Sequence, residues 1–258
     1  MIRSWLKHRR RRRILERKPI PDTAWQQARR ALPWLRGMSD RESALLRDLT
    51  TWFLAEKRFY GAADLTVDDD MALAMAVQAC IPVMHIGFDA LDRWTSVIVY
   101  PGEFRTRHSH EDEYGLVTES DEDLAGEAWL GGPLVLSWTD VAAAIDCPDD
   151  GENVVFHEIA HKLDMLNGDA NGHPPLHPGM DTRSWARDMQ TAFDELNAAL
   201  DRGEETAVDP YAATDPAEFF AVVSEYFFEA PETLAQAMPP VFRHLRDFYR
   251  PARQALPG

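Results

Sequence analysis

Apolar residues return every three to four positions through residues 22 to 32, 40 to 59, 70 to 80, 138 to 145, 153 to 166, 181 to 202, 216 to 229 and 239 to 249. That period predicts a helix over each stretch. Strand-like runs are fewer, at 94 to 100, 114 to 118 and 134 to 138, the last preceded by the turn Gly131-Gly132-Pro133. The pattern describes an α+β chain dominated by helices, with a small sheet ahead of the helix at 153 to 166. The stretch from Gly168 to Gly179, rich in Gly, Pro, Asn and His, reads as a loop near that helix, and its His173 and His177 are candidate substrate contacts or plain surface histidines.

Chemistry concentrates in the helix at 153 to 166. Residues 157 to 161 read His-Glu-Ile-Ala-His. Side chains four apart share a helix face, so His157 and His161 can hold one zinc ion while Glu158 stands beside them as a general base. Val154, Val155, Phe156, Ile159, Ala160, Leu163, Met165 and Leu166 make the flanks apolar, and Asn167-Gly168 ends the helix. Such burial strengthens the pull of a metal on water. Lys162 runs against the pattern, and the helix is expected to be exposed on that side.

A catalytic zinc takes three protein ligands and leaves a position for water. A third histidine six residues beyond His161 is excluded, because positions 164 and 167 are Asp and Asn where that arrangement needs Gly and His. The remaining arrangement draws a Glu from a separate helix. Asp215-Pro216 supplies an N-cap and a first helical residue, and Glu218, Glu225 and Glu229 follow on an otherwise apolar helix. Glu218 and Glu225 are seven apart and share a face, so spacing leaves both open as ligands.

The sequence His157-Glu158-Ile-Ala-His161-Lys-Leu-Asp-Met, with Asp209-Pro-Tyr211-Ala-Ala-Thr-Asp-Pro-Ala-Glu218-Phe-Phe-Ala-Val-Val-Ser-Glu-Tyr-Phe-Phe, closely resembles the Mlc titration factor A family of bacterial zinc peptidases. Phe53-Leu-Ala-Glu-Lys-Arg-Phe, Cys80-Ile-Pro-Val, Val97-Ile-Val-Tyr-Pro-Gly-Glu-Phe, Tyr114-Gly-Leu-Val and Gly132-Pro-Leu-Val-Leu-Ser-Trp carry it further, from about residue 24 to about residue 250. The resemblance implies a zincin-like metallopeptidase domain, similar to that of anthrax lethal factor. It implies one zinc held by His157, His161 and Glu218, with Glu158 as general base and Tyr211 as an assisting phenol for the oxyanion. The implied activity is hydrolysis of short peptides, as an aminopeptidase or a related enzyme. The family was recognised through the glucose repressor Mlc, so the second function class is a protein that sequesters an Mlc-like repressor and uses zinc only for structure. Retention of Glu158 favours the enzyme, since a structural zinc needs a fourth protein ligand and no base.

Three further readings stay coarse. Asp164, one turn past His161, either holds a ligand imidazole or ends the helix. The run at 134 to 138 is either an interior strand or an edge that pairs with an extended peptide. The polar cluster Arg107-His108-Ser109-His110-Glu111-Asp112-Glu113 reads as a solvated loop.

Length and composition fit one catalytic domain over 24 to 258, preceded by a basic and flexible arm over 1 to 23. Cys80 and Cys147 are too few for a disulfide framework and no secretory signal precedes the domain, which points to the cytoplasm. Residues 1 to 37 hold 12 Lys/Arg against 2 Asp/Glu, a balance of +10, so the chain total of −16 leaves −26 on the remainder. The acidic body is expected to repel nucleic acid. The Arg9 to Arg13 run is expected to rest on that body or to remain disordered, in preference to contacting a membrane.

Overall fold

A computed structural model describes residues 2 to 102 and 131 to 250. The helices are α1 (Ile2–Arg17), α2 (Asp22–Ala31), α3 (Asp40–Glu56), α4 (Asp69–Cys80), α5 (Trp138–Asp146), α6 (Val154–Asp164), α7 (Thr182–Asp201), α8 (Pro216–Glu229), α9 (Pro231–Ala237) and α10 (Pro239–Tyr249). Strands β1 (Arg58–Gly61), β2 (Ser96–Tyr100) and β3 (Leu134–Ser137) form a parallel sheet in that order. Phe59 lies opposite Val97, and Val99 opposite Leu136. The chain is thus mostly helical with a small sheet preceding α6. The expected strand at 114 to 118 and the polar cluster at 107 to 113 lie outside the described residues.

Two elements correct the sequence reading. The helix expected to run to residue 59 stops at Glu56, and β1 begins two residues later. Lys57 explains the stop, because its buried ammonium donates to the carbonyls of Leu91 and Trp94 and lies 3.8 Å from the Trp94 ring centroid. That anchor draws the chain off the helix axis and beside β2, where Arg58 N–H donates to Thr95 O at 2.8 Å. The second correction concerns Lys162, which is buried, at 4% exposure, and donates to Gly132 O at 3.1 Å. An ammonium can be buried when it has an acceptor, and here it ties α6 to the turn that opens β3.

Helix α8 forms the centre of the molecule, with every residue from Ala217 to Phe227 buried. Apart from Glu218, Ser224, Glu225 and Glu229 it is apolar on all sides, because neighbours cover all sides. Phe228 lies 5.0 Å from Phe156 of α6, Phe220 lies 6.1 Å from Phe248 of α10, and Tyr249 OH donates to Ser224 Oγ at 2.9 Å. Burying one such ring contributes about 1.5–3 kcal/mol, which makes the α6–α8 packing a rigid base for the side chains between them.

The loop after α6 is stitched to both helices. Gly172 has φ +75° and a Cβ there would fall 2.4 Å from Pro216 O, at the first turn of α8. Its N–H donates to Asp164 and its carbonyl accepts from Trp185 Nε1 at 3.1 Å. Gly172→Ala is expected to cost roughly 2 kcal/mol or more, through left-handed strain and displacement of α8, measured as a lower midpoint in urea unfolding. His177 Nε2 stands 2.7 Å from Phe248 O, and the His173 ring centroid 6.3 Å from that of Trp185, so both rings pack within the fold.

Candidate metal centre

Helix α6 is started by Asn153, whose Oδ1 accepts from the N–H groups of Val155 and Phe156 at 3.1 and 3.0 Å. This cap satisfies two donors that a helix leaves open and fixes where the following turn points. Helix α8 is started by Asp215, which accepts from Ala217 and Glu218 N–H at 2.8 and 3.0 Å, with Pro216 as the first helical residue. Glu218 therefore leaves from a pinned backbone. Asp209 caps the 3-10 turn Pro210–Ala213 by accepting from Tyr211 N–H at 2.7 Å, which sets the phenol at the same opening.

The structure brings His157, His161 and Glu218 together, with one donor atom from each lying within 4.8 Å of the others. The two Nε2 atoms are 3.0 Å apart, and Glu218 Oε2 is 3.1 Å from one and 3.5 Å from the other. His157 Nδ1 lies 2.8 Å from Glu225 Oε1. A carboxylate on Nδ1 places a ring proton there, so Nε2 is the nitrogen that faces Glu218 and His161. Electron-pair donors converging in this way repel one another unless a positive charge, a proton or a metal ion, stands among them. Two imidazoles and one carboxylate suit zinc, so the donor chemistry fits the ion.

The electrostatics run the same way. Burial alone would lower the His157 pKa, but the Glu225 charge and the hydrogen bonds to Glu218 and Glu225 raise it well above its usual value. A field that holds a proton on a buried imidazole also favours a divalent cation. Burial pushes the Glu218 carboxyl up, yet hydrogen bonding and attraction from His157 and His161 outweigh it and leave Glu218 well below the carboxylate range. Tyr211 is pushed up to about 12 by burial and by the Glu218 charge. It therefore keeps its proton at neutral pH. Its ring centroid is 6.1 Å from that of His157, and 41% of the residue faces solvent. Glu158 is half-buried on the turn between the two histidines.

Glu225 and Glu229 have other partners. Glu225 Oε2 accepts from Asn153 N–H at 2.5 Å while Oε1 holds His157. Glu229 Oε1 accepts from Asn153 Nδ2 at 2.7 Å and from Trp34 Nε1 at 2.9 Å, and Asn153 Nδ2 also donates to Gln78 Oε1 at 3.0 Å. Asn153 is thus the hub that joins the start of α6 to two carboxylates of α8. No catalytic motif marks Asn153, and its one signal in the sequence is its place directly before an apolar helical run, where an Asn is an N-cap. Asp164 Oδ2 accepts from Asn171 and Gly172 N–H, both at 2.7 Å. What it holds is the loop after α6.

Burial pushes Glu229 up to about 7 against the hydrogen bonds it accepts from Asn153 and Trp34. A carboxyl whose folded pKa exceeds its unfolded value contributes stability below the unfolded pKa, near 4.5, and loses it as pH rises through about 7. Glu229→Gln keeps an acceptor for Trp34 and Asn153 without the charge. Relative to wild type, the variant should gain roughly 2.5 kcal/mol between pH 5 and pH 8.5, measured by denaturant unfolding at each pH. Equal slopes for the two proteins would contradict this.

Residues 6–250 match the model of a family described as glucose-regulated metallo-peptidase M90. Relatives include Mlc titration factor A of Salmonella gallinarum (strain 287/91), 37% identical over 231 residues that cover 89% of this chain and 86% of that protein. Mlc titration factor A of Salmonella arizonae is 37% identical over 231 residues, covering 89% and 91%. Mlc titration factor A of Cronobacter sakazakii is 37% identical over 233 residues, covering 90% and 86%.

Proposed function

This chain belongs to the glucose-regulated metallo-peptidase M90 family, and on that premise we propose that it is a zinc-dependent peptidase of zincin-like fold acting on short peptides. The observation that carries the reading is the convergence of His157, His161 and Glu218 within 4.8 Å on capped helices, with Glu158 on the intervening turn. Those three residues would hold the ion. When bound, zinc in such a set supplies a Lewis acid and lowers the pKa of a water to about 7.

The remaining chemistry falls to side chains of this chain. Glu158 accepts the proton of the attacking water and delivers it to the leaving amine. Tyr211 keeps its proton and donates a hydrogen bond to the oxyanion that forms on the substrate carbonyl. Glu225 holds the His157 ring in the orientation that turns Nε2 inward. Strand β3 lies directly before α5 and α6, is bonded to β2 on one side, and follows a turn that Lys162 ties to α6, which suits it to align an extended peptide by backbone pairing.

The test is metal-dependent hydrolysis. Purified protein should contain about one zinc per chain and cleave a mixed set of aminoacyl and internally quenched peptides. A chelator should abolish cleavage and zinc restore it. Cleavage that survives chelation and metal loss would overturn the reading. A second function, capture of an Mlc-like repressor, is supported by the name of the relatives, Mlc titration factor A. It is separable from hydrolysis, because Glu158→Gln leaves the outer surface unchanged.

A further inference from the structure

Helix α1 carries an outer face that peptide hydrolysis does not use. Its rotation is set from inside. Arg11 is buried, at 7% exposure, and donates to Asp89 at 2.5 Å and Asp92 at 2.6 Å. Its guanidinium lies 4.6 Å from the Phe88 ring centroid and 5.3 Å from that of Trp52, whose Nε1 donates to the Arg11 carbonyl at 3.1 Å. One turn earlier, Lys7 pairs with the same two aspartates. Acidic groups of the body are therefore engaged by the inner side of the helix.

The opposite side follows from that clamp. Trp5, Arg9, Arg13 and Arg17 stand at four-residue steps and are exposed, flanked by exposed Leu6, Arg10 and Arg12. Glu16, 3.6 Å from Arg12, is the only acidic residue on the helix. Trp5 and Leu6 are 58% and 53% exposed, the most open large apolar side chains among the described residues. They sit side by side at one end of the cationic stripe.

We propose that α1 docks the protein on an anionic lipid surface, its outer arginines meeting lipid phosphates while Trp5 and Leu6 enter the boundary between headgroups and acyl chains. Cations beside a tryptophan and a leucine on one exposed face are the composition of an interfacial helix. A nucleic acid would match the arginines but leave Leu6 no role, since bases stack on aromatic planes and not on leucine. The clamp through Arg11 keeps the helix pressed to the body, so docking carries the folded enzyme with it.

The test uses the full chain and vesicles of phosphatidylcholine, alone or with roughly one third phosphatidylglycerol, a fraction chosen to set a negative surface potential. Sedimentation should retain the protein on the anionic vesicles only and release it at about 0.5 M salt, where charges are screened. Arg9→Gln, Arg13→Gln and Arg17→Gln together should lower partitioning on the order of a hundredfold, about fivefold per arginine. Trp5→Ala with Leu6→Ala should weaken it without abolishing the salt dependence. All five positions are exposed, so circular dichroism and zinc content should match wild type. No retention on anionic vesicles, equal retention of the arginine variant, or tight binding of an oligonucleotide with vesicles left free would each overturn the proposal.

Discussion

Glu158→Gln is expected to lower kcat by about 10²–10⁴-fold while zinc content and thermal stability stay at wild-type values. Gln is isosteric with Glu but cannot take a proton from water, so it removes the base and leaves the fold. The effect should fall on kcat and kcat/KM together, the signature of a group needed only in the transition state. Steady-state hydrolysis of a quenched peptide, run beside metal analysis of the same preparation, reads both quantities. A variant that keeps most of its activity would remove Glu158 from the mechanism.

Glu218→Ala should have the second large effect, on the metal. Without its carboxylate the site retains two imidazoles 3.0 Å apart, with no anion to offset a divalent charge. Zinc affinity is expected to fall by well over a hundredfold, measured by competition with a chromophoric chelator, and hydrolysis to vanish with it. Glu225→Ala gives the contrast. Glu225 touches His157 through Nδ1 and orients the ring, and losing an orienting group of this kind costs 10–100-fold in affinity. If the two variants lost affinity equally, or Glu225→Ala lost more, the ligand and orienting roles assigned to these two residues would be reversed.

Those roles show where sequence reading ends. His157, Glu158 and His161 are legible because one helical turn brings i and i+4 to a common face, and the Asp215-Pro216 pair marks the start of α8 on local grounds alone. The choice between Glu218 and Glu225 was not open to spacing. Seven residues put both on one face, and only the packing of α8 against α6 sends one carboxylate to Nε2 of His157 and the other to Nδ1. In the sequence, the resemblance to a known family, not periodicity, is what points to Glu218 as the ligand.

Other features depend on contacts distant in sequence. Trp34 reaches Glu229 across 195 positions, and Gln78 reaches Asn153 across 75. No local pattern announces such pairs. Strand β1 is four residues long and follows a helix by one residue, too brief for a period-two signal, and its place is set by the Lys57 anchor. Lys162 misled for a related reason, because a charged residue reads as exposed unless its acceptor is known, and Gly132 lies 30 positions away. Helix α1 has no apolar stripe to announce it and is held instead by Arg11 against Asp89, Asp92, Phe88 and Trp52.

The family, the α+β class and the meeting of two histidines with a glutamate rest on separate observations, from relatives, backbone topology and side-chain geometry. The central claim that joins them is that a zinc ion occupies this site. Crystals of the purified protein, with diffraction collected above and below the zinc absorption edge, test it most directly. The account predicts one anomalous peak among His157, His161 and Glu218, lost in Glu218→Ala. A peak elsewhere in the molecule, or none in protein saturated with zinc, would contradict it.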